Sequence, residues 1–84
     1  MEDSKNLEDW QAQKFREFYD EEYTFLQRRL EAGKTDREEL QGVLENLYIF
    51  DGNNLDGRSL VMQLSISATI AAYEAVIAKL EKNS

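Results

Sequence analysis

Residues 60–80, LVMQLSISATIAAYEAVIAKL, carry apolar side chains around too much of a helix for one small core to cover. At about 100° per residue, Val61, Leu64, Ala68, Ala71, Ala75 and Ala78 form one stripe. Met62, Ile66, Ile70, Tyr73, Ile77 and Leu80 form a second, nearly opposite. Gln63, Ser67, Glu74 and Glu81 line up as the plainly wet edge. Such a helix must lie between neighbours. A domain of 84 residues hides only about 60–65% of its unfolded surface, so some of those neighbours are expected to belong to a second molecule.

The chain has no Cys and no His, which excludes disulfides and removes the usual ligands of zinc, copper and iron. No metal or other cofactor is expected, and self-association is left as the reinforcement for a small core. The absence of Pro, with only 4 Gly, favours long uninterrupted helices. Residues 60–80 have the length of a membrane span, but Gln63, Ser65, Ser67, Thr69 and Glu74 interrupt them. A carboxylate at mid-membrane costs roughly 2.5–3.5 kcal/mol. The opening MEDSKNLEDW has acids where a secretory signal carries bases, and no apolar run follows it. A soluble, cytoplasmic protein is the expectation.

Charge is divided unevenly: residues 1–56 carry −8 and residues 57–84 carry +1, within a total of −7. That field disfavours direct binding to nucleic acid or to an anionic membrane, because both require Lys and Arg.

Periodicity predicts three helices in one domain spanning 1–84, at about 7–32, 36–50 and 55–82. Asn6 is the expected N-cap of the first, and Gly33 its left-handed C-terminal cap. The first helix shows two strips, Phe15, Tyr19, Tyr23, Leu26 and Leu30 beside Leu7, Phe18 and Phe25, with Gln11, Glu22 and Arg29 between them. This split suggests a helix seated between two others. Thr35-Asp36-Arg37-Glu38 reads as a capping box, with Thr35 and Glu38 satisfying each other's amides. The short Gly33-Lys34 connection then makes helices one and two antiparallel neighbours. Asn54 or Asp56 is expected to cap the third helix.

Few constellations carry chemistry. DGNNLDGR, from Asp51, lacks three requirements of a calcium-binding EF-hand loop: Leu55 stands where the fifth position needs oxygen, Asp56 where the sixth needs Gly, and Met62 where the twelfth needs an acid. Ser59, Ser65 or Ser67 with Lys79 would be a formal Ser–Lys pair. No Gly-rich turn adjoins these serines to hold an oxyanion, so enzyme status is not expected. REFYDEEY concentrates Glu17, Asp20 and Glu21 on a solvated face that also suits a basic partner. Glu22 falls between the apolar strips and is the candidate for a perturbed carboxylate, paired with Arg29 or Arg58. Trp10 lies off both strips, either as an interface anchor or packed against a chain end.

In size, acidity and helix layout the chain resembles the small acidic helical chaperones and adaptors, including those that escort bacterial secretion substrates. That resemblance implies a protein partner. The sequence therefore leads to an all-α three-helix domain, a hairpin with a long third helix along it, that dimerises, with Met62, Ile66, Ile70, Tyr73, Ile77 and Trp10 as its expected interface residues. Its expected role is a non-enzymatic protein–protein interaction module. The alternative is an acidic inhibitor that imitates nucleic acid through Glu17, Asp20 and Glu21.

Overall fold

A computed structural model describes the backbone of residues 2–53 and 59–83, and the side chains of residues 9–52 and 59–82. The described chain forms α1 (Glu2–Glu31), α2 (Arg37–Asn53) and α3 (Leu60–Asn83), with no strand among the described residues. α1 begins earlier than Asn6 because Glu2 and Asp3 already suit the positive end of the helix dipole. Asn6 lies within the helix, so it is not the N-cap.

The turn after α1 is built as Gly33 foretells. Gly33 has φ +70°, its amide donates to the Leu30 carbonyl at 3.1 Å, and the Lys34 amide donates to the Arg29 carbonyl at 2.9 Å. These two bonds are the Schellman closure of a helix end. The capping box sits one residue later than expected. Asp36 Oδ1, not the Thr35 hydroxyl, accepts from the third helical amide, that of Glu39, at 2.8 Å. Asp is at least as good an N-cap as Thr, and Thr35 instead donates its hydroxyl to Glu39 Oε1 at 3.0 Å. α3 starts after Ser59, whose Oγ accepts from the Met62 amide at 3.1 Å. Asn54 and Asp56, the expected caps, lie outside the described residues.

Leu26 of α1, Leu40 and Leu44 of α2, and Val76 and Ile77 of α3 make one buried cluster, with Tyr23, Leu30, Ile70, Tyr73 and Leu80 packed around it. The C-terminal halves of α1 and α3 thus meet the N-terminal half of α2. α1 and α3 run in the same direction and α2 returns between their ends. The core is concentrated at this end of the molecule.

The side-by-side packing of helices one and two expected of a hairpin is not borne out. Both α1 and α2 pack against α3, whereas among the described residues no Cα of α1 lies within 8 Å of one in α2. The helix seated between two others is α3, not α1. Its most buried line is Ala68, Ala72 and Val76, at 0%, 0% and 1% exposure, and it starts in the first stripe at Ala68 and crosses toward the second. Those stripes are the flanks of one wide buried face. Small residues along its middle let a neighbouring backbone approach closely, and Thr69 ties its hydroxyl to the Ser65 carbonyl at 2.8 Å.

α2 crosses α3 obliquely. Arg37 pairs with Glu81 and Tyr48 donates to the Glu74 carboxylate. Between these contacts the chain advances 11 residues along α2 but 7 along α3. An inclined crossing of this kind is what interlocking side-chain ridges favour. Ile49 lies on the face of α2 opposite Leu40 and Leu47 and is 60% exposed. By length and composition alone, Leu60–Lys82 is apolar enough to cross a membrane; the central helix of a small bundle meets the same test.

Candidate functional site

α1 and α2 both lean on α3 and, among the described residues, have no Cα pair within 8 Å of each other, so their facing sides with α3 between them bound the candidate cleft. At its turn end Arg29 Nη2 and Glu39 Oε1 face each other at 3.7 Å, which identifies the sides of α1 and α2 that look across it. Helical periodicity places the rest. Phe18, Glu22 and Phe25 lie 11, 7 and 4 residues before Arg29, on the same strip of α1. Val43 and Phe50 lie 4 and 11 residues after Glu39, on the same strip of α2. The floor is the second stripe of α3, with Met62 at its open end and Ile66 and Tyr73 deeper in.

Much of this lining is in contact with water. Phe25 is 51% exposed, Val43 37%, Phe50 47% and Met62 52%, while Phe18 and Ile66 are half-buried. The Arg29 guanidinium lies 5.6 Å from the centroid of the Phe25 ring, a cation–π distance. Apolar side chains so placed would gain by being covered, at roughly 25 cal/mol per Å².

Glu22 is the electrostatic exception. Burial against this apolar lining raises its carboxyl above the ordinary range, as its position between the strips implied. Its expected partner Arg29 is engaged by Glu39, and Arg58 lies outside the described residues. Among the described residues Glu22 takes no ion pair and no hydrogen bond. The Tyr73 phenol is likewise raised, chiefly by burial and then by Glu22 and Glu39, with Arg29 opposing. Tyr73 therefore sits on the cleft floor within reach of charges from both walls.

The proposed dimer row is largely spent inside the chain. Ile77 is 5% exposed and in the core, Ile70 and Tyr73 pack against it, and Ile66 is half-buried. The row is turned toward the cleft because α1 and α2 flank it, which corrects the expectation of an open face. Met62 and Trp10, at 52% and 38%, remain accessible. Glu17, Asp20 and Glu21 are exposed on α1, with Lys14 Nζ 3.6 Å from Glu17. Asp51, the first residue of the calcium-loop comparison, is helical in α2, and among the described residues no three acids are grouped to hold a metal ion.

Val43 and Phe50 were not read from sequence as binding residues, nor were Ile49 and Leu60, while Val61 was read only as part of the first stripe of α3. A signal existed: Tyr48, Ile49 and Phe50 are consecutive, and three consecutive residues cannot all point to one side of a helix. At Tyr48 the hydrogen bond to Glu74 holds the phenol above its ordinary range. Comparison with known proteins adds no relative: no family model matches the chain, and no curated protein or solved structure is significantly similar.

Proposed function

We propose that this chain is a non-enzymatic protein–protein interaction module, an adaptor or chaperone-like protein of the cytoplasm, that receives its partner in the cleft between α1 and α2. The supporting observation is exposed apolar surface on all three helices: Phe25, Val43, Phe50 and Met62 are each more than a third exposed. Contiguous exposed apolar surface on a small domain marks an interaction site more often than it occurs by chance. A photo-crosslinking amino acid at position 43, inside the cleft, tests this in cells against the same group at position 13 on the outer side of α1. An adduct to another protein from position 43 and not from 13 supports the reading. Equal labelling from both, or none from 43, refutes it.

Self-association belongs to the same proposal, through accessible residues such as Met62 and Trp10 in place of the buried Ile77. A second reading, imitation of nucleic acid, draws on the exposure of Glu17, Asp20 and Glu21 along α1. Under that reading, neutralising the three acids abolishes binding to a basic partner, and binding falls steeply with salt as charges are screened beyond about 8–10 Å. Under the cleft reading the same change leaves affinity nearly intact.

A further inference from the structure

Resting on the self-association in that reading, we infer that two copies of this chain pair across the first turns of α3, each laying Leu60, Val61 and Met62, with Trp10 alongside, on the same residues of the other.

α3 is the most apolar helix of the chain, yet only 22% of its most apolar stretch of 18 residues is buried within the chain. The open part is its beginning. Leu60, Val61 and Met62 are 47%, 44% and 52% exposed, and Gln63 after them is exposed as well. Four consecutive residues look in four directions around a helix, so this first turn meets water on every side. Trp10, 38% exposed, extends the patch onto α1. Leu26 and Val76 share the core cluster, and α1 and α3 run the same way, so Trp10 falls level with Leu60.

The area left open is the size of an interface. A compact monomer of 9.8 kDa exposes about 5,200 Å² by the usual scaling with mass. This chain exposes 6179 Å², an excess of about 1,000 Å² over that scaling. Its radius of gyration is 14.7 Å, against about 12 Å for a compact chain of this length. A standard interface covers about 800 Å² on each partner, so one such contact brings the exposed surface close to that of a compact protein.

Charge selects the occupant. Residues 59–73 contain no Asp, Glu, Lys or Arg, so two copies meet there without like charges opposed, although each carries a net −7. The exposed Glu17, Asp20 and Glu21 of α1 would repel their own kind. A two-fold contact requires a patch complementary to itself, and an uncharged apolar turn meets that requirement while offering no charge by which to select a different protein. The two strips lie antiparallel, because the positive ends of two helix dipoles repel when set side by side, and the two-fold axis passes near Met62. An anionic membrane is disfavoured as the occupant by the net charge.

Sedimentation equilibrium of the full chain, from about 1 to about 300 µM, tests the pairing. Wild type should dimerise reversibly. Met62→Asp and Val61→Asp should each raise the dissociation constant at least tenfold, with helix content by circular dichroism unchanged, since both residues are exposed. Ile49→Asp, at a still more exposed position on α2, should leave the constant as it is. Added salt should tighten the dimer or leave it unchanged, because screening relieves the repulsion between the two chains. The chain has no Cys, so Met62→Cys gives each copy a single thiol. Mild oxidation should then link two copies, which needs their Cα atoms within about 7 Å, and should not link Ile49→Cys.

Wild type that stays monomeric throughout that range would overturn the pairing. So would a dimer indifferent to both Asp variants, or one that weakens as salt rises. Monomers that float with phosphatidylcholine vesicles, and cease to do so on Met62→Asp, would give the patch to lipid and overturn it too. Adducts from position 43 in cells, beside a monomer in sedimentation, would remove the pairing and leave the interaction module standing. A dimer that behaves as described, with no adducts from position 43, would support the pairing and remove only the cleft.

Discussion

Ile77 and Ile49 offer a direct measurement of which apolar residues this chain spends on itself. Ile77 is 5% exposed and touches the cluster of Leu26, Leu40, Leu44 and Val76. Truncating a buried Ile to Ala costs about 2–5 kcal/mol, from lost transfer energy and from the cavity left behind. Ile49 is 60% exposed, so a proportionate share of the roughly 1.5–3 kcal/mol for full burial leaves about 1 kcal/mol at most. The better helix propensity of Ala offsets part of that. A domain of 84 residues is stable by about 4–13 kcal/mol at the usual density per residue. Ile77→Ala should therefore remove a large fraction of the stability, and Ile49→Ala little. Urea denaturation followed by far-ultraviolet circular dichroism reads both, run at low and at high protein concentration. If Ile77 belongs to the chain's own core, its cost is the same at both concentrations. A cost for Ile77→Ala below about 1 kcal/mol, or one that disappears on dilution, would refute the internal placement and restore the row to a dimer interface.

Three further outcomes follow from the same structure. Asp36→Ala should cost about 1 kcal/mol in thermal or urea unfolding by removing the bond to the Glu39 amide, with Thr35→Ala costing less; the reverse order would return the cap to Thr35. Gly42→Ala should stabilise by about 0.5–1 kcal/mol, because Gly42 is helical and an added Cβ meets nothing within 4 Å; destabilisation in the same assay would show a neighbour in that space. The raised carboxyl of Glu22 means that the folded state favours the protonated form, so this group's contribution is present below the ordinary glutamate value of 4.5 and is lost as pH rises through the higher folded value. Glu22→Gln should therefore melt at a higher temperature than wild type at neutral pH, with the gap closing in acid, and a gap that is constant with pH would count against a desolvated carboxylate.

What could be read in advance follows from which interactions are local. The helices and the Gly33 closure depend on residues within a turn or two, and the sequence states them openly. The cap was ambiguous for a physical reason: Thr35 and Asp36 are both good caps with an acid three residues on, Glu38 and Glu39 respectively, so the pattern TDREE admits two registers. Glu22 was legible because its place between two apolar strips leaves little room for hydration. The arrangement of the helices was less so. A tight turn fixes the ends of α1 and α2 near each other but not their sides, and the sides went to α3, whose apolar face is the widest in the chain. Counting large apolar residues then misled on α3 itself, since its closest packing runs through Ala68, Ala72 and Val76, where smallness matters more than hydrophobicity.

The oblique path of α2 and the cleft are consequences of one another. Had α2 lain flat against both neighbours, Val43 and Phe50 would have met Phe18 and Phe25, and Glu22 would have been sealed in with no counter-charge, a costly arrangement for a carboxylate. α1 and α2 leave Glu22 half-buried, share the core cluster through Leu26, Leu40 and Leu44, and pair at Arg29 and Glu39 beside the turn. The exposed apolar walls are the other side of that compromise. The protein keeps a carboxylate in a place that its own cations do not fill, and it keeps the adjoining groove open.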